Sequence, residues 1–195
     1  MIRSLGIAAA LAGGLAGGAF AEDWVLVPED SQVAFGSIKA GAQGETHRFT
    51  ALSGQVGENG AAILEIRAAS VDTAIGIRDE RMRALVLEPE RFPVAFVAGR
   101  IDMDALEVLA PGATAVIPAE LSLGFLGATL PLTAELFVAR LAEDRVLVAT
   151  EGPVWLGTAE LGIDAGVDAL AEIAGLDSIA RTVPVTARLV FERAE

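Results

Sequence analysis

Alternation with a period of two is the feature that most restricts how this chain can fold. It is clearest near the C-terminus. Val183, Val185, Ala187, Leu189 and Phe191 fall on one side of an extended segment, while Thr182, Thr186, Arg188, Glu192 and an odd Pro184 fall on the other. Successive side chains of a β-strand point to opposite faces, so such a segment buries one face and wets the other. The pattern recurs along the chain. Ile117, Ala119, Leu121, Leu123 and Phe125 share a face, as do Leu130, Leu132, Ala134, Leu136 and Val138. Leu64 and Ile66 oppose Glu65 and Arg67, and Val33 and Phe35 oppose Gln32. In the polar segment from Glu45 to Val56, His47, Phe49 and Ala51 share one face, and Arg48, Thr50 and Leu52 the other. Turn signals such as Gly57-Glu58-Asn59-Gly60, Pro111-Gly112 and Gly127-Ala128 separate the runs. About eight to ten strands at this spacing predict a mainly β, antiparallel barrel or sandwich.

Two stretches leave the rule and predict short helices. In the first, Asp72 or Thr73 can cap a helix beginning near Ile75. Ile77, Met82, Leu85 and Val86 give it an apolar stripe, Asp79 and Arg83 form an i,i+4 pair, and Pro89 and Pro93 end it. In the second, Asp164 is a cap, Val167, Leu170, Ala171 and Ala174 form the stripe, and Gly175 is the stop. This helix fits a lid over the barrel or a fixed plug. Asp104 to Leu109 reads as a plain connection.

Met1-Ile2-Arg3, the Ala/Gly/Leu-rich run from Leu5 to Leu15 and Ala19-Phe20-Ala21 form the pattern of a secretory signal peptide cut after Ala21. Residues 4–21 carry no charge, so a membrane anchor is the competing reading; Gly6, Gly13, Gly14, Gly17 and Gly18 weaken it as a helix. The expected domains are thus a leader, 1–21, and one exported β-barrel domain, 22–195. With no cysteine, there is no disulfide, thiolate metal site or lipoprotein anchor.

A formal charge of −13 has the wrong sign for nucleic acid and for anionic bilayer surfaces. Any lipid is therefore expected as a single molecule held inside. Catalytic signatures are missing. His47 is the sole histidine, reads as a surface or rim residue, and has no second histidine with which to hold zinc. No serine sits in a G-x-S-x-G elbow. No phosphate loop or dinucleotide fingerprint occurs, and Asp102, Asp104 and Glu107 lack EF-hand spacing. The chain reads as a binding protein with no cofactor rather than an enzyme.

A closed ring of about eight strands has an interior just wide enough for side chains or for one ligand. Ala34, Ala51, Ala95, Ala119, Ala134 and Ala187 are small, and aromatic residues make up 5% of the chain. From the residues alone, a filled lumen and an empty one both remain open.

Several strings together resemble a known family. They are Trp24 followed by Ser31-Gln32-Val33-Ala34-Phe35, then Phe49 with Leu52-Ser53-Gly54, and Ser70-Val71-Asp72-Thr73 with Arg78-Asp79. Phe92-Pro93 with Phe96, and Leu121-Ser122-Leu123 with Leu126-Gly127 and Leu130-Pro131-Leu132, complete the set. The family is the YceI-like one, of periplasmic proteins with a lipocalin-like barrel that hold polyisoprenoid or similar lipids. Leu156 to Gly162 departs from it, keeping only the glycine of the segment that usually follows Trp155.

The resemblance implies a lumen occupied by a long-chain isoprenoid-type lipid or an isoprenoid quinone. Contact candidates are Phe35, Leu64, Ile66, Phe96, Leu121, Leu123, Leu132, Leu136, Val185 and Leu189. Asp72, Thr73, Arg78 and Asp79 are either a headgroup site at the barrel mouth or a capping knot that fixes the first helix. Arg78, Arg81 and Arg83 either steer an anionic headgroup or pair with Asp79, Glu80 and Glu88. Trp24 and Trp155 either stack on a ligand or, the favoured reading, pack in the core or rim. The rival is a filled structural barrel docking a membrane redox or stress-response partner. The oligomeric state stays open, a dimer included.

Overall fold

The computed structural model describes residues 22–194; the expected leader at 1–21 lies outside the described residues. Strands β1 (Glu22–Leu26), β2 (Gln32–Lys39), β3 (Gln43–Phe49), β4 (Leu52–Gly57), β5 (Ala61–Arg67) and β6 (Val71–Asp72) come first. Helix α1 (Gly76–Met82) continues into a π-helical turn at Arg83–Leu87. Strand β7 (Val94–Arg100), helix α2 (Met103–Glu107) and strands β8 (Thr114–Phe125), β9 (Ala128–Ala142), β10 (Arg145–Thr150) and β11 (Val154–Gly157) follow. Helix α3 (Asp164–Ala174) and strand β12 (Thr182–Arg193) close the described chain.

Eight strands form a closed antiparallel ring in the order β1-β4-β5-β7-β8-β9-β10-β12 and back to β1. This is the mainly β, lipocalin-like architecture expected. The remaining strands extend the wall. β1 and β2 share β12, β1 beside Phe191–Arg193 and β2 beside Val185–Arg188. β2 pairs with β3, and β3 with β6. Between β9 and β11 the wall thins to a surface groove lined by Pro131, Leu132, Glu135, Glu151, Trp155 and Glu160. The two prolines at this seam, Pro131 and Pro153, have no N–H to offer a ladder. Trp155 lies on the outside, 61% exposed.

One end of the barrel is a packed floor. Trp24, Leu106, Val138, Val146 and Phe191 belong to its core. Helix α2 plugs it, capped by the Asp102 carboxylate, which accepts from the N–H groups of Asp104 and Ala105. That segment was expected as a connection; five residues are too few to show helical periodicity. Arg140 continues the inward phase of β9 and is buried here. Its guanidinium donates to the carbonyls of Ala142, Glu143 and Leu106, and stacks over the Trp24 ring, 5.2 Å from its centroid. A cation inside the core is thus hydrogen-bonded by main chain, as burial requires.

The opposite end is roofed by helices. Val86, Leu87, Leu161, Ile163 and Val167 form a second core. Helix α3 packs directly on the π turn, because a Cβ on Gly166 would lie 2.1 Å from the Leu85 carbonyl oxygen. Gly175 ends α3 in the left-handed region, as expected. Asp164 is the first helical residue rather than the cap, and its carboxylate takes the Thr158 hydroxyl and the Arg181 guanidinium.

Three further expectations change. There are three α-helices among the described residues rather than two. The inward phase of the β3–β4 segment slips at Thr50–Ala51, which bond across to Ser70 and Arg67, so Leu52 is buried and Ala51 exposed. Phe96 points outward. It is 37% exposed and lies across the bare backbone of its cross-strand partner Gly124. The inward residues of β7 are Ala95, Val97 and Gly99, so Phe96, a contact candidate from the sequence, belongs to the outer face.

Candidate functional site

Between floor and roof lies a cavity of about 540 Å³. Of the sequence-derived contact residues, Phe35, Leu64, Ile66, Leu121, Leu123, Leu132, Leu136, Val185 and Leu189 line it, and Phe96 does not. The geometry follows from alternation: on β7, β9 and β12 every second side chain lines the cavity. Ala134 and Ala187 line the cavity where a larger residue would fill it.

The wall is mostly apolar, with Gln55 and Thr150 among its few polar members, and its charged residues gather toward the roof. Along the β2–β3 hairpin the inward cross-strand pairs run Val33–Phe49, then Phe35–His47, then Ser37–Glu45, with Lys39 beyond. Three register steps carry the lining from hydrocarbon to charge. Lys39 is the chain's only lysine, and it joins the only histidine here. Helix α1 brings Arg78 and Arg81 to the same end. Ile75 and Ile77, 48% and 55% exposed, also border the cavity. Ile77 was expected to seat the helix; it rims the opening instead.

Glu45 is the hub of the charged group. Its two oxygens take Lys39 at 3.0 Å and Arg78 at 2.8 Å. The Lys39 hydrogen bond, with Arg78, holds its carboxyl below the usual carboxylate range. Arg78 also donates to the Thr73 carbonyl at 2.6 Å. Arg81 lines the cavity with no acidic partner among the described residues. Arg83 turns away and donates to the Ala69 carbonyl.

The other motif residues are occupied locally. Asp79 accepts from the Thr73 N–H at 2.8 Å and its hydroxyl at 2.5 Å, rather than pairing with Arg83. Asp72 accepts from the Ala74 N–H and from Arg48. The Ala74 N–H, then Arg48, keeps the Asp72 carboxyl below its ordinary value. Neither Asp72 nor Thr73 caps α1, whose start carries no side-chain cap. Of these four residues, Arg78 alone lines the cavity.

His47 was read as a surface or rim residue and is buried, at 4% exposure, in the cavity wall. Its Nε2 lies 2.9 Å from the Ser37 hydroxyl, and its ring is 5.2 Å from that of Phe35. Burial, then the nearby Arg78 charge, pushes its pKa down. The sequence did carry a signal: His47 is in phase with Phe49. The polar neighbours Thr46 and Arg48 belong to the other face.

A closed antiparallel wall around a largely apolar hollow defines the molecule as a lipocalin-like barrel. Its sequence places it further: the family model for the YceI-like domain matches residues 24–191, and the chain belongs to that family. Among solved structures, a polyisoprenoid binding domain from Saccharophagus degradans, implicated in plant cell wall breakdown, superposes with a TM-score of 0.87. It is 32% identical over 89% of this chain and 99% of that one. BcnA from Burkholderia cenocepacia shares the fold, with a TM-score of 0.66 and 17% identity over 85% of this chain and 98% of that one. Comparison with curated proteins returns no match.

Proposed function

We propose that this chain is an exported, periplasmic carrier that holds one apolar, chain-like lipid in its lumen, a polyisoprenoid or an isoprenoid quinone. The observation that carries the proposal is the cavity itself, walled by apolar side chains from strands around the ring and stopped at the floor by α2. Transfer of a hydrocarbon chain from water into such a space is favourable by about 25 cal/mol per Å² of apolar surface removed. The mechanism is burial of the tail, with no bond made or broken. The 32% identical domain from Saccharophagus degradans, itself polyisoprenoid-binding, supports the same reading. The leader pattern at 1–21 supports export. A filled scaffold docking a membrane redox partner would need side chains to occupy the lumen, and they leave it open.

The test is to express the full chain in a Gram-negative host, recover the periplasmic fraction and record native and denaturing mass spectra. The proposal expects a mature mass beginning at Glu22 and one lipid-sized adduct that organic extraction removes. A retained leader contradicts export, and an adduct-free native mass contradicts the carrier.

A further inference from the structure

Strand β9 parts from its neighbour at one point. From Leu136 onward it pairs with β10, and the last bond on that side runs from the Glu151 N–H to the Glu135 carbonyl at 2.9 Å. Before Glu135 it pairs with β8 alone, and β11 pairs with β12 alone. Two strand edges therefore face each other across the groove at this seam, a space of about 610 Å³. Carried on in the same register, Thr133 would meet Pro153 and Trp155 would meet Pro131. Each proline lacks the N–H that the carbonyl opposite it needs, so the ladder stops. Thr133 and Trp155 are left with main-chain groups turned into the groove. The Glu135 carbonyl points away from β8, and Thr133, two residues back, has the same phase. The Thr158 N–H bonds to the Arg181 carbonyl on the β12 side, so Trp155, three residues earlier, has the opposite phase and faces away from β12.

We propose that this seam is a docking site for an extended, basic segment of a partner protein, which lies along it as an added strand. Thr133 and Trp155 each offer a donor and an acceptor, the main-chain bonds such an addition uses. Charge selects the guest. Glu135, Glu151 and Glu160 border the groove, all exposed and none in an ion pair among the described residues, and no Lys, Arg or His lines it. Glu135 and Glu151 stand together at one end. Glu160 stands at the other, beside Gly157, where a Cβ would lie 3.5 Å from its carboxyl carbon. The strand from Glu151 to Gly157 spans at most about 20 Å, so cations about six positions apart in the guest would reach both ends. Trp155, 61% exposed, offers a ring to a third cation between them. A second copy of this chain is a poor occupant: at a charge of −13, with one lysine, it repels itself. The site does not depend on what the lumen holds.

The test starts from the mature protein and a random dodecapeptide library displayed on phage. The best selected peptide is then synthesised and titrated against the wild type, Glu135→Lys/Glu151→Lys and Thr133→Pro. It is also made with N-methyl groups on alternate residues, in each of the two phases. Selection should enrich peptides with Lys or Arg about six positions apart. Binding should shift the Thr133 and Trp155 amide signals, weaken about tenfold in the double charge reversal and weaken further with salt. Thr133→Pro should weaken it several-fold, the scale of one lost hydrogen bond. N-methylation in one phase should abolish binding and in the other leave it intact, a result that needs no change to the protein.

No enrichment over blank beads, enrichment of acidic or uncharged peptides, shifts confined to other strands, or equal effects of the two N-methyl phases would each overturn the site. Leu132, Ala134, Val154 and Leu156 line both groove and lumen, so uptake of a prenyl hydrocarbon is timed in Trp155→Ala as well. Slowed uptake without peptide binding would make the seam a lipid gate and overturn docking. Flotation with phosphatidylglycerol vesicles that Trp155→Ala abolishes would make it a membrane contact and overturn it too.

Discussion

Arg78 Nη1 and Glu45 Oε2 meet at 2.8 Å, although the residues are 33 apart in sequence. The pair ties helix α1 to strand β3 at the edge of the cavity and fixes where the Arg78 side chain points. Both side chains are about a quarter exposed, 25% and 29%, so the bridge itself contributes on the order of 0.5–1 kcal/mol. Glu45→Gln should lower stability by about that much in chemical denaturation, less at high salt. The Glu45 charge also raises the His47 pKa. The variant should therefore show a His47 pKa below that of the wild type by NMR titration.

His47 sets a pH window of its own. Burial and Arg78 hold its folded pKa below 6.5. As pH falls through 6.5, the unfolded chain takes up a proton that the folded one refuses. Stability should therefore decline between 6.5 and the folded pKa, then level off. Glu45 and Asp72, whose carboxyls are held below 4.5 and 3.8, act only at lower pH. The groups acting on the imidazole are Lys39, Glu45, Arg78 and Asp79. Urea unfolding of the wild type and of His47→Gln from pH 7.5 to 5 should differ in slope, with the variant flatter.

Phe96 gives a test of the register of β7. Its ring covers Gly124 on the outer face. Phe96→Ala should cost about 1 kcal/mol, the scale of an aromatic cross-strand contact. Affinity for a prenylated probe should stay at the wild-type value. A drop of tenfold or more in affinity would put the ring back in the lumen.

Ala187 gives the converse test. It lines the cavity, whereas its neighbour Thr186 faces out. Ala187→Phe should abolish or sharply reduce uptake of a prenyl hydrocarbon while the circular dichroism spectrum stays that of the wild type. Thr186→Phe should leave uptake unchanged.

Much of this was legible in the sequence where the physics is local. On β12 all five inward residues were readable, because strict alternation fixes the face. The reading failed where a neighbour's chemistry competed with phase. In Val94-Ala95-Phe96-Val97 every residue is apolar, so no polar partner marks the outer face. At His47 the polar flank hid an inward position. At Thr50–Ala51 a slip in the ladder changed the phase without a glycine or proline to announce it. The Arg78–Glu45 bridge joins α1 to the β2–β3 hairpin, a contact no spacing rule reaches. Helices α1 and α3 were visible through their stripes; α2 was too short to show one.

The most direct measurement is a high-resolution crystal structure of the chain purified without any delipidating step. The account predicts continuous, chain-like electron density running through the lumen from the Leu136 and Leu189 walls toward the Phe35–His47 end. Ordered water throughout that space, or side chains collapsed into it, would contradict the claim that the barrel exists to hold a hydrocarbon guest.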